Sequence, residues 1–214
     1  GDFKKREVAE VVNRKAILGD VVESYREYLR DKPAVVFCHD LEHAERVAEM
    51  FRHAGHTAKR VDGKMPVAER DDAFKALAEY RVNILTSCAL IDEGLDIPNL
   101  AGVIDTTPSM SLSRVLQRWG RGLRPHPDHP EKVIVDHVQN HVDHWYPRTH
   151  REWTLDGEVK GARRGTEALV TQCAQCYRVY EGRGPCPYCE FEAQGQGKTR
   201  AIQEMAAELQ VIDE

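Results

Sequence analysis

The chain has 214 residues, of which 41% are hydrophobic and 30% are charged. This length and composition exclude a collagenous or low-complexity chain and allow one full domain plus a smaller unit. Thirty basic and thirty-five acidic residues give a formal net charge of −5, which excludes a uniformly basic coat and leaves nucleic-acid contact to local patches. No apolar run reaches the ~18 residues of a membrane span, and the polar N-terminus lacks a signal-peptide core. We therefore expect a cytoplasmic protein without a membrane partner, and a start at Gly1 is typical of an excised or tagged fragment.

The first two thirds of the chain alternate between helical periodicity and short apolar runs. Apolar residues at three- and four-residue spacing predict a leading helix over residues 4–30, which ends before Pro33 because proline disfavours helical geometry in the residue that precedes it. The short continuous apolar run Ala34–Cys38 predicts a strand buried on both faces. The repeat of the strand–helix alternation predicts further strands at Thr57–Val61, Val82–Thr86, Ala101–Asp105 and Lys132–Asp136. Helices are predicted from Leu41 to Gly55 with Asp40 as the N-cap, over Pro66–Tyr80, and over Ser111–Arg121.

Strands that alternate with helices indicate an α/β domain with a parallel sheet flanked by helices. We assign residues 32–146 to this domain, after a leading helix within residues 1–31. Residues 147–194 form an irregular segment that contains four cysteines. Residues 195–214 are predicted to be a Gly-rich linker followed by a polar helix over Thr199–Leu209.

Four of the six cysteines, Cys173, Cys176, Cys186 and Cys189, lie within seventeen residues. Two Cys-x2-Cys pairs can place four thiolates around one tetrahedral ion, which favours a single structural zinc in a small zinc-ribbon-like module. An iron–sulfur cluster is an alternative for the same four thiolates. A redox pair at Cys186 and Cys189 is a second alternative, but it leaves the other pair unexplained.

The segment Thr86–Pro98 follows the third predicted strand. It contains the small polar pair Thr86-Ser87 and then an acidic stretch, Asp92-Glu93-Gly94-Leu95-Asp96. Ligands of open α/β sheets bind at the carboxyl ends of the strands, so this segment suits backbone and hydroxyl contacts to a ligand. An ordinary acidic surface loop is the alternative.

The segment Gln117–Pro125 ends the last helix of the α/β domain in a Gly-rich turn. It carries three arginines at three-residue spacing, Arg118, Arg121 and Arg124. Guanidinium groups at this spacing suit a clamp on phosphoryl oxygens. The helix dipole also favours arginine at a helix C-terminus, which accounts for one of the three but not for all of them.

Histidines and tryptophans give two further expectations. We expect the histidines after the last strand to be solvated rather than to form a second metal site; they are His137, His141 and His144. We expect the tryptophans to pack in the core or at a domain interface rather than to stack on bases; they are Trp119, Trp145 and Trp153.

The segments described above together resemble the second RecA-like lobe of a superfamily 2 DEAD/DEAH-type helicase. Ala34–His39 is similar to motif IV of that family, Thr86–Pro98 to motif V, and Gln117–Arg124 to motif VI of the Gln-Arg-x-Gly-Arg-x-x-Arg type. Val61-Asp62-Gly63, with Glu69-Arg70, resembles the short element between motifs IV and V. The resemblance covers residues 32–137 and implies a RecA-like sheet, with residues 1–31 as an interlobe connector. The cysteines resemble those of the RadD-type branch.

The resemblance also implies roles for individual residues. Arg121 and Arg124 match the arginine fingers that reach the γ-phosphate of an ATP held by the other lobe. The residues implied in nucleotide binding are Glu93, Gly94, Asp96 and Gln117, with Asp96 on the ribose. The residues implied in nucleic-acid contact are Thr86, Ser87, Cys38 and His39.

The chain has neither the Walker A lysine nor the Walker B Asp-Glu pair of a complete enzyme. Gly197-Lys198-Thr199 has Glu192 in place of the first glycine and no preceding strand, so it does not fit a phosphate loop. We therefore expect the C-terminal part of an ATP-dependent helicase or translocase, with DNA as its nucleic acid. ATP and Mg²⁺ would be bound with an N-terminal RecA-like lobe, and the isolated chain should not hydrolyse ATP. The alternative is a non-catalytic zinc-ribbon adaptor that binds nucleic acid or protein.

Overall fold

The computed structural model describes residues 21–88, 97, 99–144, 146–149, 151, 170–173, 175–176, 178–182 and 184–192. Its main feature is a five-stranded parallel sheet in the order β2-β3-β1-β4-β5. The strands are β1 Ala34–Cys38, β2 Ala58–Asp62, β3 Ile84–Cys88, β4 Gly102–Asp105 and β5 Val133–Asp136. The helices are α1 Leu41–His53, α2 Val67–Ala78, α3 Leu112–Gly122 and α4 Asn140–His144, preceded by a π-helical turn at Tyr25–Leu29. A separate antiparallel hairpin pairs β6 Val170–Gln172 with β7 Val179–Glu181.

The two faces of the parallel sheet are covered by different helices, which confirms the predicted fold class. The central strand β1 is buried along its whole length. Val36 belongs to the core on the face covered by α1 and the π-helical turn. Val35 belongs to the core on the opposite face, where α2 and α3 pack and where Trp119 is buried as predicted. Burial on both faces explains why this strand is a continuous apolar run in the sequence.

Close packing requires glycine at two positions around β4. A side chain at Gly102 would overlap the carbonyl oxygen of Val133 on β5. A Cβ at Gly122 would lie 2.6 Å from Cγ1 of Val103 on β4, so the end of α3 reaches the sheet only because this residue has no side chain. Gly122 therefore sets the distance between the end of α3 and the sheet.

The third strand begins two residues later than predicted. β3 runs over Ile84–Cys88 rather than Val82–Thr86, because the N–H groups of Arg81 and Val82 donate to the carbonyl of Ala76 and hold both residues in the turn after α2. The shift places Thr86 inside the strand and moves the carboxyl end of the strand to Cys88.

Two short elements that follow β5 in the chain were not predicted: α4 and the β6–β7 hairpin. The helix α4 buries His141 and His144, so the expectation that these histidines are solvated is wrong. Each imidazole is hydrogen-bonded. Nδ1 of His141 lies 2.8 Å from Oδ2 of Asp136, and Nε2 of His144 lies 2.6 Å from the carbonyl oxygen of Ser109.

Two predicted helical segments, residues 4–20 and Thr199–Leu209, lie outside the described residues, as do Trp145 and Trp153. Among the helices that the structure does describe, none combines the length and the apolar character needed to cross a bilayer.

Candidate functional site

The motif VI segment forms the last turns of α3, which covers Leu112–Gly122, and continues just beyond the helix. Its side chains lie on two faces. Ser111 caps the helix by accepting a hydrogen bond from the N–H of Arg114. Arg118 and Trp119 belong to the buried face of the helix. Gln117 is exposed on the other face, and Arg121, one turn later, is half-buried. Arg124, beyond the end of the helix, is exposed.

Arg118 is buried in an ion pair with Asp105 at the end of β4. Its Nε lies 3.0 Å from Oδ2 of Asp105, and its Nη2 donates to the carbonyl of Thr107 at 2.7 Å. The indole N–H of Trp119 donates to the same carboxylate oxygen at 3.0 Å. Burial raises the pKa of Asp105 to about 6, an effect that the positive charge of Arg118 opposes. Arg118 therefore has a structural partner within the lobe.

The carboxyl ends of β1 and β3 are adjacent and form the second part of the candidate site. Cys38 and Cys88 are register partners in the two strands, and the thiol of Cys88 donates to the carbonyl of His39 at 3.4 Å. His39 is partly exposed, whereas Cys38 is buried. Cys88 is not among the residues that the sequence patterns indicate, because apolar residues follow it in the sequence and a cysteine there is typical of a core.

Thr86 and Ser87 are buried within β3 on opposite faces of the sheet. Neither side-chain hydroxyl has a hydrogen-bond partner. The structure thus brings His39 to the strand ends but keeps these two hydroxyls inside the sheet. Glu93, Gly94 and Asp96 lie outside the described residues.

His43 supports the loop between β1 and α1. Its Nδ1 accepts a hydrogen bond from the N–H of His39 at 3.3 Å, while the side chain of Asp40 caps the helix by accepting from the N–H of His43 at 2.7 Å. Burial lowers the pKa of His43 to about 4, with Asp40 opposing this shift and His39 and Arg46 adding to it. The imidazole is therefore neutral at physiological pH.

The four clustered cysteines converge on one point in the hairpin region. Their Sγ atoms all lie within 4.8 Å of one another. Sulfur–sulfur contacts between the two pairs measure 3.5 Å from Cys173 to Cys189 and 3.6 Å from Cys176 to Cys186. Four thiolates bound at about 2.3 Å to one tetrahedral ion would be about 3.8 Å apart. The donor set and its spacing therefore fit a single metal ion.

The backbone forms the same turn at both cysteine pairs. The N–H of Cys173 donates to the carbonyl of Arg178, and the N–H of Cys186 donates to that of Phe191, at 2.9 Å each. Both hydrogen bonds close a turn between a residue and the fifth residue after it. Two such turns presented to each other are the arrangement expected of a small four-cysteine metal module.

Amide donors around Cys173 favour its thiolate. The N–H groups of Gln175 and Cys176 both lie 3.4 Å from its Sγ. Burial opposes ionisation, but these hydrogen bonds, together with those from the thiols of Cys189 and Cys176, lower the pKa of the Cys173 thiol to about 6, whereas burial raises the pKa of the Cys176 thiol to about 12. Since metal ions bind the thiolate rather than the thiol, this environment suits a metal ligand.

The cysteine module contacts the α/β domain through Tyr28 of the π-helical turn. Its hydroxyl donates to the carbonyl of Cys176 at 2.9 Å. Burial raises the pKa of Tyr28 to about 12, so the phenol remains a donor at neutral pH.

The domain combines a parallel sheet, the arginine-bearing helix α3 and the adjacent carboxyl ends of β1 and β3. These features define a RecA-like α/β domain. The chain belongs to the family described as the helicase conserved C-terminal domain, whose model matches residues 15–126. This family is the second RecA-like lobe of superfamily 2 helicases, as the resemblance of motifs IV to VI implied.

Relatives of known sequence or structure agree with this assignment. The chain is 29% identical over 216 residues to the 51.5 kDa protein of a Lactococcus phage, an alignment that covers 100% of this chain and 47% of that protein. It is 32% identical over 91 residues to the ATP-dependent RNA helicase SrmB of Escherichia coli, covering 42% of this chain and 20% of SrmB. The crystal structure of SrmB bound to RraA matches with a TM-score of 0.50 at 25% identity and covers 58% of this chain and 72% of that one. The chain thus spans less than half the length of these two relatives.

Proposed function

We propose that this chain is the C-terminal part of an ATP-dependent nucleic-acid helicase or translocase, to which it contributes two arginine fingers. The observation that carries the proposal is the division of the three motif VI arginines. Arg118 is buried against Asp105, whereas Arg121 is half-buried and Arg124 is exposed. Arg121 and Arg124 are the two arginines of this segment that match the arginine fingers of the family.

The guanidinium groups of Arg121 and Arg124 suit the transition state of phosphoryl transfer. Charge spreads over the γ-phosphoryl oxygens as the bond to the leaving group breaks, and a positioned arginine stabilises that charge. ATP and Mg²⁺ would be held by an N-terminal lobe that supplies the phosphate loop and the metal-binding carboxylates. Gln117 lies on the same face as Arg121 and would contact the closed interface, and Glu93, Gly94 and Asp96 are proposed to contact the nucleotide.

The carboxyl ends of β1 and β3 are the proposed contact with the nucleic-acid strand. His39 is accessible there, so we assign the direct contact to it. Cys38, Thr86 and Ser87 are buried, and we propose that they support the adjoining loops. The DNA preference rests on the resemblance to the RadD-type branch, whereas the relative SrmB is named an RNA helicase.

We also propose that the cysteine module holds one structural zinc ion. The sulfur spacing, the two matching turns and the amide donors to Cys173 all support this choice. The redox alternative is less well supported, because it involves Cys186 and Cys189 alone, whereas their Sγ atoms also contact those of Cys176 and Cys173 at 3.6 and 3.5 Å. Bound zinc would order the hairpin, which has few apolar residues of its own.

ATP turnover by the full-length protein and by the isolated chain tests the main proposal. Both should be assayed with single-stranded DNA, double-stranded DNA and RNA of matched length, and with no nucleic acid. The full-length protein should hydrolyse ATP with stimulation by DNA, and the isolated chain should show no turnover. Turnover by the pure isolated chain would contradict the half-site assignment. A full-length protein that is inactive with every nucleic acid would favour the adaptor, and stimulation by RNA alone would overturn the DNA preference.

A further inference from the structure

The loop that leads from β4 into α3 is held by a residue beyond the region that the family model matches. Asn140, at the start of α4, is 3% exposed. Its amide nitrogen donates to Oδ2 of Asp105 at 3.1 Å and to the carbonyl of Thr107 at 3.0 Å. Its amide oxygen accepts from the N–H of Ser109 at 3.0 Å. One buried side chain therefore fixes three points of this loop.

Asn140 shares both of its acceptors with Arg118. The guanidinium of Arg118 donates to Oδ2 of Asp105 and to the carbonyl of Thr107, which are the two groups that the amide of Asn140 contacts. Arg118 lies one helical turn before Arg121, so the position of this ion pair determines where α3 presents its outer face. Movement of the loop would therefore change both the ion pair and the position of the outer face of α3.

The helix α4 is itself anchored on two sides. Oδ2 of Asp136, at the end of β5, accepts hydrogen bonds from the backbone N–H and from Nδ1 of His141, at 2.8 Å each. Nε2 of His144 lies 2.6 Å from the carbonyl of Ser109. Both side chains are buried. These contacts hold Asn140 in register with the sheet and add a second attachment for the loop.

We propose that Asn140 is a positioning residue for the arginine fingers. It acts through Asp105 and Arg118 and touches neither ATP nor nucleic acid. This inference rests on the proposed function of Arg121 and Arg124. Because misplacement of a catalytic group by about 1 Å can cost about 100-fold in rate, removal of the amide should lower kcat about 10- to 100-fold and leave the Kd for ATP nearly unchanged.

The test measures kcat and the Kd for ATP in the full-length protein with Asn140→Leu, which has a similar shape but no hydrogen-bonding groups. Asn140→Ala is a second variant in case leucine is not accommodated. The control is Val142→Ala, because Val142 is 40% exposed on the same short helix and should behave as wild type. Cooperative unfolding of each variant is recorded in parallel.

The decisive comparison combines Asn140→Leu with the double variant Arg121→Ala/Arg124→Ala. If Asn140 acts through the fingers, adding Asn140→Leu to that background should lower the remaining turnover less than threefold, whereas independent effects multiply. Multiplying losses, a weakened Kd for ATP with unchanged kcat, or unfolding of both Asn140 variants would overturn the inference. Normal turnover by Arg121→Ala/Arg124→Ala alone would instead refute the proposed function.

Discussion

Acidification should destabilise the α/β domain through His43. Burial holds the pKa of this side chain at about 4, against an ordinary value of 6.5. As the pH falls below 6.5, His43 becomes protonated in the unfolded chain but stays neutral in the folded chain, so folding stability is lost between pH 6.5 and pH 4. Each pKa unit corresponds to about 1.4 kcal/mol. At pH 5 the loss from this one side chain should therefore be about 2 kcal/mol.

The assay is urea unfolding of the chain at pH 7.5 and pH 5.0, followed by circular dichroism. His43→Asn removes the titrating group and retains an acceptor for the N–H of His39. The free energy of unfolding of this variant should fall about 2 kcal/mol less between the two pH values than that of the wild type. His53→Asn, on the exposed side of the same helix, is the matched control and should follow the wild type. Equal pH dependence of His43→Asn and wild type would refute the reasoning.

Three further predictions concern the packing of α3 and the cysteine module. Gly122→Ala should destabilise the chain by about 1–3 kcal/mol, because the added methyl group meets Val103. Gly120→Ala should be neutral or stabilising, because open space surrounds Gly120. Urea unfolding compares the two variants, and equal effects would contradict the described packing of α3. Arg118→Ala should cost about 3–5 kcal/mol in the same assay because it leaves the Asp105 carboxylate buried without its ion-pair partner, and a loss below about 1 kcal/mol would refute this. Elemental analysis should give one zinc per chain and little iron, and Cys173→Ser should lose the zinc without shifting the main cooperative transition; a zinc-free chain with a reducible Cys186–Cys189 disulfide would favour redox chemistry.

The centre of the sheet could be predicted from the sequence because β1 is a continuous local apolar run. Val35 and Val36 face opposite cores, and burial on both faces leaves a pattern that needs no knowledge of distant contacts. The start of β3 could not be predicted in this way. It depends on two N–H groups that both donate to the Ala76 carbonyl, and apolar content does not report how a turn uses its backbone hydrogen bonds.

Only part of the candidate site could be predicted, because some of its contacts join residues that are distant in the sequence. The spacing of Arg118, Arg121 and Arg124 indicates a shared role, but the structure separates them by pairing one with Asp105. That ion pair joins residues thirteen positions apart, and Asn140 joins it from thirty-five positions away. Long-range polar contacts of this kind leave no periodic signal, so the anchoring role of α4 could be recognised only from the structure.

The most direct test of the account measures ATP turnover and ATP affinity of the full-length protein with Arg121→Ala and with Arg124→Ala. An arginine finger stabilises charge that develops only in the transition state, so each substitution should lower kcat about 10³-fold or more and leave the Kd for ATP within a few-fold of wild type. Arg121→Lys should restore little activity, because lysine lacks the planar fork. The control is Arg81→Ala, because Arg81 is an exposed arginine that pairs with Glu79 in the turn before β3; this variant should retain wild-type turnover. Near-normal turnover in both Arg121→Ala and Arg124→Ala would contradict the claim that this chain completes the ATP site.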